Sequence, residues 1–154
     1  MKPHLIFDWD HTIWNTEGKG GPYPDAEVVI PKLRELATLS LLTHGDESFQ
    51  LGKLGRCTFS DAFNGKIWVV PNPGDKRSIL ELIQKKATDY HSIWVIGDRR
   101  DLEIQFAIEL KLNSIWVRRG RHATRKLTDS VGEPTHEVSD LIGVLTVGDS
   151  IWKK

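Results

Sequence analysis

A chain of 154 residues suits one domain around one hydrophobic core. It is 39% hydrophobic and 27% charged, as a soluble globular protein is, and 21 basic residues balance 21 acidic ones. The neutral total argues against a nucleic-acid partner held by bulk charge. No apolar run is long enough to span a bilayer, and the lone Cys57 cannot form an internal disulfide, which fits a cytoplasmic protein.

From Lys2 the chain runs directly into a short apolar stretch, Leu5–Phe7, so a secretory leader is not expected. Asn15–Pro24, with Gly18, Gly20, Gly21, Pro22 and Pro24, reads as a flexible loop, part of a flap over about residues 13–24. Gly18–Gly21 is not a phosphate-binding P-loop, because no Gly-Lys-Ser/Thr follows. Asp25–Leu36 has Val29, Leu33 and Leu36 at helical spacing, and Leu39–Leu42 reads as the second strand. Asp46–Leu54 is a short helix, Ile67–Val70 the third strand, and Asp75–Ala87 a helix with Ile79, Leu82 and Ile83 on one face. Ile93–Ile96 is the fourth strand, Arg100–Leu110 a helix, and Ser114–Val117 the fifth strand. Asp140 is a fitting N-cap for a last helix, Leu141–Leu145. Trp68, Trp94 and Trp116 lie in strand-like runs and are expected in the core. Strands alternating with helices predict an open α/β sheet with right-handed crossovers, and ligands of such sheets sit at the carboxyl ends of the strands.

Those ends carry the chemistry. The first strand runs into Asp8-Trp9-Asp10-His11-Thr12. Residues i and i+2 of an extended chain point the same way, so Asp8 and Asp10 converge. Two carboxylates ~4 Å apart repel by roughly 4 kcal/mol at an effective dielectric of 20. A bound cation, a shared proton or open solvent has to relieve that repulsion, and Asp-x-Asp past a buried strand points to Mg²⁺. A solvated turn is the plain alternative. The second strand runs into Thr43-His44-Gly45-Asp46, the third into Pro71–Lys76, and the fourth into Gly97-Asp98-Arg99-Arg100-Asp101-Leu102-Glu103. Taken alone, Lys76 reads as a solvated lysine, Asp98 as an N-cap and Thr43 as a strand end. The order in which they recur is what distinguishes them.

That ordered set resembles the haloacid dehalogenase-like (HAD) superfamily. Asp-x-Asp-x-Thr at Asp8–Thr12, Thr43, Lys76, and Gly97-Asp98 with following acids match its four motifs, and Ile115–Ala123 resembles the segment after the last of them. The resemblance spans nearly the whole chain. It implies a Rossmann-like three-layer α/β/α sandwich with a central, mainly parallel sheet. It also implies a Mg²⁺-dependent phosphatase, because dehalogenases of the family usually lack the second Asp, here Asp10. By resemblance, Asp8 is the nucleophile that forms an aspartyl-phosphate, and Asp10 is the general acid and base. Thr43 donates to a phosphoryl oxygen, and Lys76 offsets charge on the Asp8–phosphate pair. Mg²⁺ is held by Asp8, the carbonyl of Asp10, and Asp98. Spacing favours Glu103 as the further acid, with Asp101 second. Trp9, His44 and Gly45 are candidates for substrate contact; His44 departs from a frequent Asn. His11 and Trp14 follow the nucleophile and are also placed near the leaving group, with flap packing the alternative for Trp14.

Arg99, Arg100, Arg118, Arg119 and Arg121 read as a solvated face rather than a phosphate-binding patch. His122 and His136 show no metal-ligand spacing. Only about thirty residues separate Thr12 from Thr43, and Thr43 from Lys76, too few for an inserted cap beside the required elements. The expectation is therefore one capless catalytic domain over residues 1–154 with an open site. It would act on a phosphorylated small molecule or phosphoprotein, as a monomer or homo-oligomer. Phosphotransfer to another acceptor, and a non-catalytic phosphate-binding or interaction module, are the alternatives.

Overall fold

The computed structural model describes residues 2–127 and 130–153. Its elements in chain order are β1 (His4–Phe7), β2 (Trp14–Asn15), β3 (Gly21–Pro22), α1 (Pro24–Leu36), β4 (Thr38–His44), α2 (Glu47–Gly55), β5 (Ile67–Val70), α3 (Lys76–Lys86), β6 (Ile93–Gly97), α4 (Glu103–Glu109), β7 (Asn113–Val117), β8 (His136–Val138) and α5 (Leu141–Ile151). Six strands form one sheet in the order β5-β4-β1-β6-β7-β8, every neighbouring pair parallel. Side chains alternate across it, as a strand's period of two requires. Leu5, Phe7, Leu39, Leu41, Trp94 and Ile96 face one side, where Val29, Ile30 and Leu33 of α1 and Leu141 and Val144 of α5 cover them. Ile6, Leu42, Val70, Ile93 and Val95 face the other, against Leu80 and Ile83 of α3 and Ala107 of α4. The result is the three-layer α/β/α sandwich expected, its strands apolar because both faces are buried.

Register is what positions the site. Phe7 pairs with Leu41 on one side and Ile96 on the other, so β1 and β6 end within a residue of each other while β4 runs three residues further, to His44. Whatever follows each strand meets at that edge.

Several details differ from the sequence reading. The segment expected as a loose loop contains a hairpin, Trp14 opposite Pro22 and Asn15 opposite Gly21, with Gly18 and Gly20 at φ 66° and 72° in its turn. Trp14 is buried and stacks on Trp9 at 5.9 Å between ring centroids, which fixes the hairpin's base. β4 continues to His44, so Thr43 lies inside the strand. The helix expected from Arg100 starts at Glu103, after Leu102 at φ −127°, ψ −105°. α5 extends to Ile151, with Asp140 Oδ1 accepting from the Gly143 N–H at 2.8 Å as its cap. Trp94 and Trp116 are buried, but Trp68 is only half-buried because β5 is an edge strand. The sixth strand, β8, went unseen: His-Glu-Val at the opposite edge carries no apolar run. Among the described residues no helix is long and apolar enough to cross a membrane.

Candidate active site

The Asp8 N–H donates to the Ile96 carbonyl at 2.9 Å, which carries the β1–β6 ladder one residue past the strand. Asp8 is thereby fixed at the carboxyl edge. The chain then curls back on itself: the N–H groups of Thr12, Ile13 and Trp14 all point to the Trp9 carbonyl, at 3.3, 3.0 and 3.0 Å, and His11 takes φ 61°. The curl returns Thr12 Oγ1 to 3.4 Å from both Asp8 Oδ2 and Asp98 Oδ1. Trp9 is not a substrate contact through its side chain. Its indole is 1% exposed, stacked on Trp14 and edge-on to Phe63, so it anchors the loop from below.

Three further elements deliver charge to Asp8. Lys76, the first residue of α3, is 1% exposed, and its Nζ donates to Asp8 Oδ1 at 2.7 Å. Asp98 follows β6 and is buried, with its carbonyl fixed by the Trp116 indole N–H at 2.8 Å. Glu103 opens α4, folds back beneath Gly97 and lies 3.8 Å from Lys76 Nζ through Oε2. Gly97 is required there, because a Cβ would stand 2.3 Å from Glu103 Oε1. One oxygen each of Asp8, Asp98 and Glu103 lies within 4.8 Å of the others. Asp101 is not among them; it pairs with Arg99 and Arg125, both at 3.3 Å.

Three buried carboxylates thus face one ammonium. Burial, the largest influence, would raise Asp8, but the charge and hydrogen bond of Lys76, together with hydrogen bonds from Asp98 and the backbone at Trp9, hold the carboxyl below its ordinary value. Burial lowers Lys76, and Asp8 and Glu103 more than reverse it. The surplus falls on the other two acids. Burial, then the charges of Asp8 and Glu103, push Asp98 up to about 11, and burial pushes Glu103 up to about 7 against the pull of Lys76. Asp98 Oδ2 and Glu103 Oε2 are buried without a hydrogen-bond partner. Burying a charge without compensation is costly, so these oxygens fit a small divalent cation that takes carboxylate oxygens.

Asp10 stands apart from the trio, on the same cavity. Its Oδ1 accepts from Lys53 Nζ at 2.8 Å and its Oδ2 from Gln50 Nε2 at 2.9 Å. Gln50 also donates to Thr43 Oγ1 at 3.1 Å and to the His44 carbonyl at 2.9 Å. One side chain of α2 therefore ties Asp10 to the end of β4. Gln50 and Lys53 were missed in the sequence. Their only signal was spacing, three residues apart on a helix capped by Asp46, so that they share a face.

Thr43 is buried and faces Gln50 rather than lining the cavity. His44 does line it, and burial, then the charge of Lys76, lowers its pKa. Gly45 does not line it. At φ 127° with its N–H on the Val70 carbonyl at 2.9 Å, Gly45 serves the turn out of β4. The cavity holds about 220 Å³ and is also lined by His11, Arg99, Arg121 and His122.

A family model described as HAD-hydrolase-like matches residues 70–145, from the end of β5 into α5. Among curated protein sequences none matches the chain. Solved structures do, at low identity. A protein from Burkholderia xenovorans LB400, described as a haloacid dehalogenase-like hydrolase, superposes with TM-score 0.78 at 15% identity, covering 99% of both chains. The L-2-haloacid dehalogenase of Xanthobacter autotrophicus, solved with chloropropionic acid covalently bound, gives TM-score 0.76 at 10% identity, over 98% of this chain and 100% of that one. YfnB of Bacillus subtilis, described as a HAD-hydrolase and solved bound to magnesium, gives 0.67 at 16% identity, over 82% of this chain and 55% of that one. The likeness in structure carries the fold; the family model and the motif order carry the lineage. The chain belongs to the haloacid dehalogenase-like superfamily of hydrolases.

Proposed function

We propose that this hydrolase is a Mg²⁺-dependent phosphatase that cleaves a phosphomonoester through an aspartyl-phosphate on Asp8. The observation that carries the reading is the pair of carboxylates on one cavity in different company. Asp8 is held by the buried Lys76, whereas Asp10 is held from the far side by Lys53 and Gln50. Attack on carbon with loss of halide needs no proton donor, since a halide leaves without a proton, although the water that follows still gives one up. Cleavage of a phosphate ester uses both carboxylates, because the departing alkoxide takes up a proton and the incoming water gives one up.

In this reading Asp8 attacks phosphorus while Lys76 offsets the charge gathering on the phosphoryl group. Asp10 protonates the leaving oxygen, then accepts a proton from the water that cleaves the acyl phosphate. Asp8, Asp98 and Glu103 would hold the Mg²⁺, which supplies positive charge to a transition state whose negative charge is spread over the phosphoryl oxygens. Thr43, which does not line the cavity, meets Gln50 behind Asp10. Thr12 to Thr43 is taken up by the hairpin, α1 and β4, and Thr43 to Lys76 by α2, β5 and two single-turn helices. We take the chain as one catalytic domain without a cap.

The test is phosphate release from an aryl phosphate. The expected result is turnover with Mg²⁺ that stops on adding EDTA and returns with excess Mg²⁺. Turnover unchanged by EDTA contradicts the metal assignment, and halide release from a 2-haloacid without phosphate release contradicts the reaction.

A further inference from the structure

We infer that Arg121 is a specificity residue that binds a second anionic group of the substrate, which makes the substrate a small phosphomonoester bearing a carboxylate or another phosphate. The inference rests on the phosphatase reading above. The arginines around the last two motifs are otherwise occupied. Arg99 pairs with Asp101, Arg100 with Glu133, Arg118 with Glu137, Arg119 with Asp25 and Arg125 with Asp101. Arg121 meets no carboxylate among the described residues, and it lines the cavity that holds Asp8 and Asp10.

Its place there is built. Gly120 sits at φ 72°, and a Cβ on it would lie 2.8 Å from the Cβ of His11, so this turn presses against the loop after Asp10. The next residue, His122, sets its ring edge-on to His11 at 5.8 Å. The other basic groups on the cavity are not free cations. Lys76 is held by Asp8 and Arg99 by Asp101. His11 is engaged by Thr16 Oγ1 at 2.8 Å and by the edge-on ring of His122. The acids on the cavity are Asp8, held by Lys76, Asp10, tied to Lys53, Asp98, and Glu17 on the hairpin turn. A guanidinium without a carboxylate, facing a phosphoryl site, is suited to a carboxylate or phosphate that it can grip with two parallel hydrogen bonds. The cavity's 220 Å³ is below the range of about 300–1,000 Å³ usual for drug-sized ligands, which favours a small metabolite.

Three probes on one two-carbon frame separate the possibilities: ethyl phosphate, phosphoglycolate and ethylene glycol bisphosphate. With Mg²⁺, the wild type is expected to favour at least one doubly anionic probe in kcat/KM. Arg121→Ala should cut that preference about 10- to 100-fold, the scale of one charge-assisted hydrogen bond, and leave ethyl phosphate within about twofold. Arg121→Lys should keep part of the preference, and Glu17→Gln should raise it. A preference for phosphoglycolate identifies a carboxylate, and one for the bisphosphate a second phosphate. Equal loss on all three probes, or no preference in the wild type, overturns the inference. Should no probe be hydrolysed, release of phosphate from the aryl phosphate decides the phosphatase reading. Calorimetric binding of the same probes then decides Arg121 separately: a loss confined to the doubly anionic probes upholds it, and unchanged affinities overturn it.

Discussion

Replacing Asp8 with Asn should lower phosphate release by about 10⁴-fold or more while leaving the fold intact. The size of the effect follows from position. Asp8 is fixed at the carboxyl edge by its N–H on Ile96, and its charge is held by Lys76 at 2.7 Å. No neighbouring carboxylate can take over. Asp10 is tied to Lys53 and Gln50, and Asp98 and Glu103 are buried beneath the site. The fold should survive because Asn has the same shape and Lys76 retains Glu103 at 3.8 Å. Removing the Asp8 charge also relieves Asp98 and Glu103, both of which it pushes up. The melting temperature should stay within about 4 °C of wild type, the shift expected for ~1 kcal/mol in a domain of this size. Rate and melting curve together check it: loss of both would mean that Asp8 is structural.

Asp98→Asn is expected to do two things that rarely go together, stabilising the metal-free protein while disabling it. Activity should fall at least about 100-fold, since the substitution removes one of the three carboxylates proposed to hold the cation. Stability without metal should rise by on the order of 1–3 kcal/mol, the cost of a buried charge left without a partner. The sign can be worked through with pH. In the folded chain Asp98 is pushed up to about 11, far above its ordinary 3.8. The folded state therefore binds this proton more tightly than the unfolded state does. Its stability falls as pH rises from about 4 toward 11. Asn has no such dependence, so the gap between variant and wild type should widen over that window. Glu103, pushed up to about 7, adds in the same direction between its ordinary 4.5 and about 7. Mg²⁺ should reverse the order, raising the wild-type melting temperature and leaving Asp98→Asn nearly unmoved. Melting curves at two pH values, with EDTA and with Mg²⁺, check every part. A less stable metal-free variant would show that the Asp98 charge is already compensated.

The sheet was legible because parallel strands covered on both faces read as unbroken apolar runs. Leu5–Phe7 and Ile93–Ile96 could hardly be anything else. The same logic hid β8, whose edge position asks for no apolar pattern, and it overstated Trp68 on the opposite edge. The hairpin escaped because four hydrogen-bonding residues between glycines and prolines carry little period-two signal; burial of Trp14 against Trp9 holds it instead.

At the site, Asp8, Lys76, Asp98 and Glu103 could be named because each follows a strand end or opens the next helix, and the sheet register brings such positions together. Side-chain direction could not be read in the same way. Trp9 lies between two acids in sequence yet points into the core, and Gly45 serves its turn. Gln50 and Lys53 reach Asp10 from a helix forty residues away, a contact set by how α2 packs beside β4 and not by any local pattern. Arg121 looked like one more member of a solvated basic run until its neighbours were seen to be paired.

The central claim is a covalent bond from Asp8 to phosphorus, and Asp10→Asn with an aryl phosphate tests it most directly. A phenolate leaves without help from an acid, so the first step should proceed in this variant. The second step lacks its base and should stall. After acid quenching with Mg²⁺ present, the peptide containing Asp8 should carry one phosphoryl group at near-stoichiometric yield, accompanied by a single burst of phenol. Turnover continuing at the wild-type rate, or phosphate found on any other residue, would contradict the account.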